Sequence, residues 1–400
     1  MRLLMIHERY RQRGGEDRAF DTETAMLEAR GCQVERLVVD NADIDERRGG
    51  LALAVNAAWS QSGRERVREA VRRFRPHLAH IHNWFPLLSP SIHSAIRAQG
   101  VPVVQTLHNF RLLCLNGLMF REGGLCEDCR EDRLKWRGVL RRCYREDTKA
   151  SAAVAAMILL HRGLGTWRRQ VDLFLAFSEF SRQYFIAGGL PADRIAIKPN
   201  AVPDPGSDAA SWRRPRSGAV FIGRLSPEKG IAELLRAWHG VDHRLTVVGE
   251  GPLAEPLRAM APPQVEFTGW CRPEAISAIL SEAALVCVPS RCHEQGPLVV
   301  AEAAAHGVPV LASDLGALRR LVIPGETGVL LPPPEPGRDP LVWRSEAIRL
   351  LRSLELLSTL GGRAREVYLE RYSPDAVMDQ LLACYARAGG GQFQIPLRGA

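Results

Sequence analysis

No stretch of the sequence approaches the ~20 consecutive apolar residues that a membrane-spanning helix needs, so an integral helical protein is not expected. Several familiar signatures are missing too. No G-x-G-x-x-G follows a strand-like run, which leaves a nicotinamide or flavin site unsupported, and no G-x-x-x-x-G-K-[ST] marks a P-loop. His293-Glu294 lacks the second histidine of a zinc-protease helix, and no G-x-S-x-G marks a nucleophile elbow. Aromatic residues are only 6% of the chain and follow no known nucleic-acid module, which argues against a nucleic-acid partner. Met1 to His7 runs into charged residues without an apolar secretory segment, so the cytoplasm is the expected compartment and the nine cysteines are expected to be reduced there.

What the chain does have is enough length for two or three domains, at ~100 to 200 residues each, and an ordinary globular composition of 46% apolar and 24% charged residues. The 53 basic against 45 acidic side chains give a net charge of +8, a modest excess that suits phosphate chemistry or an anionic membrane surface. Short apolar runs at Arg2 to His7, Val34 to Val39, Leu78 to His82, Val101 to His108 and Val171 to Ser178 alternate with segments of helical length. Such alternation predicts a parallel sheet with helices on both faces, because parallel strands need long crossovers. Pro199 to Ser217 reads as a linker, and a second series follows at Ala219 to Gly223, Leu245 to Gly249, Val265 to Gly269, Leu285 to Pro289, Pro309 to Ser313 and Gly328 to Leu331. The expected fold is therefore α/β, two doubly wound parallel-sheet domains with a ligand cleft between them. From Ser353 to Ala388 the pattern is helical, with Gly361-Gly362 read as a break and Pro374 as the start of the last helix.

Two segments carry the chemistry. Val288 to Val310 reads as a strand, a loop with Glu294 and Gly296, a helix from about Pro297, and a stop at Gly307 and Pro309. Free amides and the macrodipole at such a helix start attract a phosphate, and Glu302 further along can hydrogen-bond ribose hydroxyls. Phe221 to Gly230 adds a glycine turn at Gly223 and two cations, Arg224 and Lys229, which can neutralise a diphosphate leaving group without a metal. Gly249, Gly251 and Gly269 end later strands, where a flat base can lie against backbone. In the first half, Gly14-Gly15 follows the first strand, His80 and His82 alternate along another, and His108-Asn109 closes a third.

These motifs, G-R-L-S-P-E-K-G, G-E-G-P, the Glu294 to Glu302 segment, Gly325-Glu-Thr-Gly328 and the final Arg371-Tyr-Ser373, resemble in identity and order the retaining glycosyltransferases of family 4 over nearly the whole chain. The resemblance implies a GT-B fold of two Rossmann-like domains. It assigns 1–200 to an acceptor-side domain with a cysteine-rich insertion at 111–149, and 201–217 to a linker. It makes 218–371 the nucleotide-sugar domain and 372–400 a helix crossing back. It implies that Arg224 and Lys229 hold the diphosphate, Glu302 the ribose, Glu294 the donor sugar and His108, ahead of His82, the transferred sugar. Pro297 stands where the family often has glycine, so the Leu298 and Val299 amides must face the phosphate. The donor would be a UDP- or GDP-sugar, no catalytic metal is expected, and the acceptor would be a glycan or a lipid-linked sugar in surface polysaccharide assembly. A nucleotide-sugar epimerase of the same fold is the alternative, but the carboxylate set it needs is not apparent in the first half.

Three features lie outside that pattern. Cys126-Glu-Asp-Cys129 has zinc-knuckle spacing, and Cys114 and Cys143 would complete a structural zinc site; reduced thiols are the other reading. Arg133, Lys135, Arg137, Arg141, Arg142, Arg145 and Lys149 precede an apolar run from Ala152 to Leu160, which reads as a core helix beside a solvated face or as a contact with an anionic membrane. Asp43-Ile-Asp45 has D-x-D form but lies in a polar loop and reads as a solvated turn.

Overall fold

The computed structural model describes residues 1–11, 14–44, 50–206, 216–338 and 340–390. Residues 207–215 of the expected linker, Asp45, and 391–400 of the expected final segment lie outside the described residues. The chain forms two compact units, one of Met1–Met119, Cys126–Pro199 and Val377–Ala400, the other of Phe120–Leu125 and Asn200–Ala376. The cysteine-rich segment is thus divided, since the hairpin β5 (Phe120–Arg121) and β6 (Gly124–Leu125) belongs with the second unit rather than the first.

In the first unit β1 (Arg2–Arg9), β2 (Gln33–Asp40), β3 (Leu78–Ile81), β4 (Val103–Thr106), β7 (Leu173–Ala176) and β8 (Ile195–Ile197) form a parallel sheet in the order β2-β1-β3-β4-β7-β8. Alternate residues of β1 go to opposite faces: Leu4 and Ile6 join one core layer with Ile81, Val103 and Phe174, whereas Leu3 and Met5 join the other with Phe20, Val104 and Leu175. Burial on both faces is why these strands read as continuous apolar runs. The last helix, Pro374–Ala388, closes the second layer through Met378, Leu381, Leu382 and Tyr385, a stripe at helical spacing.

The second unit repeats the plan. Here β9 (Ala219–Ile222), β10 (Leu245–Val248), β11 (Val265–Gly269), β12 (Leu285–Val288), β13 (Val310–Ser313) and β14 (Gly328–Leu331) run parallel in the order β11-β10-β9-β12-β13-β14. Its two layers are again set by alternation, Phe221, Val247 and Cys287 on one face and Val220, Val248 and Val286 on the other. The expected break at Gly361-Gly362 does not occur: one helix runs through Leu354–Arg371. Gly361 serves contact, since a Cβ there would fall on the Gly307 carbonyl oxygen at the end of the helix Leu298–Ala305. Strand β8 and the small hairpin were not expected; runs of three and two residues are too short to show a period. Strand order reverses between β1 and β3 and between β9 and β12, the places where doubly wound sheets take ligands.

Candidate functional site

At the β9–β12 reversal of the second unit, backbone meets backbone. Gly249 has φ +133°, and a Cβ there would fall on the Gly223 carbonyl; one at Gly251 would strike Leu225. Gly230, at φ +68°, lies against the Pro289 carbonyl in the same way, and Arg291 N–H donates to the Glu228 carbonyl at 2.8 Å. Only glycine permits approaches this close, and Gly230 and Gly249 need its positive φ as well. Gly230 and the Arg291 bond lock the loop after β9 onto the loop after β12, while Gly249 and Gly251 lock the loop after β10 onto the loop after β9.

The lock brings Lys229 to Glu294: Nζ donates to Oε1 at 2.7 Å, and Ser290 Oγ donates to the same oxygen at 2.6 Å. Burial alone would lower the Lys229 ammonium, yet Glu294 holds it above its ordinary value. Arg224 is exposed and has no ion-pair partner among the described residues. The helix Leu298–Ala305 starts one residue later than the sequence reading had it, with Pro297 as its N-cap, so Leu298 and Val299 carry the first amides, which no helical carbonyl can accept. Glu302 is 4% exposed, and its carbonyl accepts from His306 through the backbone N–H at 3.2 Å and Nδ1 at 2.8 Å. Gly269 ends β11 at φ +72°, and its carbonyl accepts from the Gly249 N–H at 2.8 Å.

The β1–β3 reversal of the first unit is made of side chains. Glu23, from the helix Gly15–Ala29, pairs with Lys198 just past β8, and its Oε1 lies 3.0 Å from His80 Nδ1 and 3.2 Å from His82 Nε2. His82 Nδ1 is in turn 3.0 Å from His108 Nε2, while His80 Nε2 is 2.8 Å from Thr106 Oγ1. His7 bonds Asp17 at 2.9 Å, and Asn109 donates to Glu16 at 3.1 Å. Glu8 accepts the Leu87 and Leu88 amides at 2.7 and 2.9 Å, and burial lifts its pKa to about 7. Tyr10, His82, Asn83, Phe85, His108 and Arg111 line one pocket here. Gly14 and Gly15 are exposed, and Gly14 caps its helix by donating to Asp17 at 2.9 Å.

Sequence reasoning found His82 and His108 but missed Glu8, Glu16, Asp17, Glu23 and Lys198. Glu16, Asp17 and Glu23 show in the sequence only as carboxylates of the first helix, Glu8 only as a charge ending the first apolar run and Lys198 as one lysine after a short strand, and which of them turn inward depends on the fold.

Among the described residues, Glu23, His80 and His82 form a group whose potential ligand atoms lie within 4.8 Å of one another. Lys198 already supplies this carboxylate with a cation, so no metal is required there. The four cysteines of the expected zinc site form no disulfide and lie outside that group, and Cys114 Sγ donates to Asn116 at 3.0 Å. Lys135, expected on a solvated face, is fully buried with its ammonium on the Cys129 carbonyl. The other cations of that stretch are exposed, and the helix Thr148–Gly163 after them buries Val154, Met157 and Ile158. Near β2, Asp43 ends a short turn, Asn41–Asp43, whose N-cap is Asp40. No described helix is long and apolar enough to cross a membrane.

Residues 216–352 match the family described as "Glycosyl transferases group 1", and residues 13–201 match "Glycosyl transferase 4-like domain". A phosphatidyl-myo-inositol mannosyltransferase of Mycobacterium leprae is 31% identical over 58% of this chain, which spans 64% of that relative's length. Among solved structures, sucrose-phosphate synthase from Thermosynechococcus elongatus has a TM-score of 0.71 at 21% identity, covering 98% of this chain and 100% of that one. Anabaena HepE in complex with UDP and glucose gives 0.68 at 17%, covering 96% and 99%. These likenesses carry the fold. With both halves of the chain matched in order, and both sheets built on one plan, the chain belongs to the group 1, family 4-type glycosyltransferases of GT-B fold.

Proposed function

We propose that the protein is a retaining, metal-independent glycosyltransferase that takes a hexose-like unit from a UDP- or GDP-sugar to a glycan or lipid-linked acceptor. The observation that carries this reading is the locked pair of loops at the β9–β12 reversal, which holds Lys229 on Glu294, four residues before the helix whose first amides belong to Leu298 and Val299. An ammonium and free amides suit a diphosphate, because stabilising developing phosphate charge is most of what such transfer requires. In this reading Arg224 and Lys229 bind the diphosphate, Glu294 positions sugar hydroxyls and Glu302 serves the ribose. Gly223, Gly251 and Gly269 give the base room, and Gly14 and Gly15 let backbone approach the sugars. The bond from the anomeric carbon to the diphosphate breaks as the acceptor oxygen bonds on the same face, and the acceptor proton passes to the departing phosphate oxygen. Transfer from labelled donors with and without a chelator, with the product anomer read by NMR, tests this. An inverted anomer or complete loss with chelator would contradict it.

The acceptor side favours a lipid-linked substrate at an anionic membrane. Leu51, Val55, Leu134, Trp136 and Leu140 are exposed on the first unit, and Arg133, Arg137, Arg141 and Arg142 are exposed along the same stretch as the last three. Co-sedimentation with phosphatidylglycerol vesicles but not with phosphatidylcholine alone is the expected result; no difference would remove the membrane from the account.

A structural zinc on Cys114, Cys126, Cys129 and Cys143 is a separate proposal. It is supported by the buried Lys135 ammonium on the Cys129 carbonyl, which would offset the net negative charge of four thiolates on zinc. Cys114 would have to leave Asn116. Zinc well below one per chain in the purified protein would count against it.

A further inference from the structure

Glu23 is the hub of a buried chain of side chains that ends at His108. Its carboxylate is held well below the usual range: burial opposes ionisation, but Lys198 on the other oxygen, with His82 and His80 nearby, outweighs it. A charged carboxylate only accepts hydrogen bonds. Burial lowers all three imidazoles, His82 to about 3, so each is neutral near pH 7 and carries a single N–H.

That count leaves one consistent assignment. His82 Nε2, 3.2 Å from Glu23 Oε1, must donate, because a lone pair there would face a negative oxygen. His82 Nδ1 is then an acceptor, and His108 Nε2 at 3.0 Å must donate to it. His108 is left with an unprotonated Nδ1, which makes no hydrogen bond among the described residues, on a half-buried ring lining the pocket with Tyr10, Asn83 and Arg111. On the other branch His80 Nδ1–H is shared between Glu23 at 3.0 Å and Tyr385 Oη at 2.8 Å, and His80 Nε2 accepts from Thr106 Oγ1 at 2.8 Å.

We propose that the Glu23–Lys198 ion pair is a tautomer lock which, through His82, makes His108 a pure acceptor for a sugar hydroxyl and excludes it as a proton donor to a phosphate oxygen. Glu23 and His82 are positioning residues, and His108 alone meets substrate. The identity of that hydroxyl's owner as a transferred sugar rests on the function proposed above; the lock itself does not.

Nitrogen-15 histidine labelling of the full chain, with ring nitrogens read by long-range proton correlation at pH 7.5 without substrate, tests it. His82 and His108 are both expected as neutral Nε2–H tautomers. A His108 protonated at Nδ1, or at both nitrogens, overturns the proposal. The Glu23→Gln/Lys198→Met double variant removes both charges, leaving no buried unpaired ion to unfold the protein. Its His108 is expected to show mixed tautomers, with kcat lowered about tenfold and KM for the nucleotide sugar little changed; a tautomer still uniquely Nε2–H also overturns the lock. Because the tautomers are read without ligand, a failure of every nucleotide sugar to bind would remove the glycosyltransferase reading and leave this result standing.

Discussion

The two sheets share a topology and differ in what stands at their reversal points. At β9–β12 the architecture is backbone: glycines at 223, 230, 249 and 251 let the loops after β9, β10 and β12 touch, and Lys229 meets Glu294 and Ser290 from two of those loops. At β1–β3 it is buried polar side chains, Glu23, Lys198, His80, His82 and Tyr385, drawn from four separate segments. A backbone site can bind a group common to every substrate, such as a diphosphate. A side-chain network sets proton positions and so discriminates among hydroxyls.

The largest expected effect separates these two kinds of site. Glu23→Leu leaves the Lys198 ammonium buried and unpaired at 2% exposure, and should cost about 3–5 kcal/mol in urea unfolding. A loss under about 1 kcal/mol would mean that water reaches the lysine and the network is not a closed one. By contrast Lys229→Ala, at a half-buried position, should fold well and lower transfer about 10²–10³-fold, the usual scale for removing one transition-state contact. Unchanged transfer would remove Lys229 from the diphosphate site.

The histidine-rich core of the first unit also predicts acid sensitivity. Folding depresses His82 to about 3 and His93 to about 4, mainly by burial, from the ordinary 6.5. Between those values and 6.5 the unfolded chain binds more protons, so stability present above about 6.5 should fall as the pH drops toward 4. Glu8, raised to about 7, acts oppositely: the folded chain binds its proton more tightly between about 4.5 and 7, which favours folding at the lower pH and offsets part of the loss. Urea midpoints at pH 7 and pH 5 check the balance, and the Glu8→Gln variant should lose more on acidification than the parent. Equal midpoints in both proteins would deny the buried neutral histidines.

A smaller effect tests the helix contact. Gly361→Ala should cost about 1–3 kcal/mol by overpacking against the Gly307 carbonyl, although alanine is the better helix former. A stabilised variant would show that the glycine is there by default.

Much of this was legible in the sequence for physical reasons. Parallel strands buried on both faces print as apolar runs, so β9 to β14 were readable, and glycines and loop cations at fixed spacing print as a motif, which marks the segments where Gly230 and Gly249 make their close approaches and Lys229 meets Glu294. Gly361 misled because a glycine inside a helix looks the same whether it ends the helix or admits a neighbour. Lys135 misled because a buried lysine in a basic run has no local mark. Glu23 and Lys198 lie 175 residues apart, and only the sheet brings them together.

The central claim is that the second unit holds a nucleoside diphosphate on Arg224, Lys229 and the first amides of the helix Leu298–Ala305. Thermal unfolding of the full chain and of Lys229→Ala, each with UDP, GDP and ADP, measures it most directly. The account predicts that one nucleotide at ~100 times its Kd stabilises the parent by about 2.7 kcal/mol and that the variant loses most of that gain. Stabilisation by none of them, or by equal amounts in parent and variant, would contradict it.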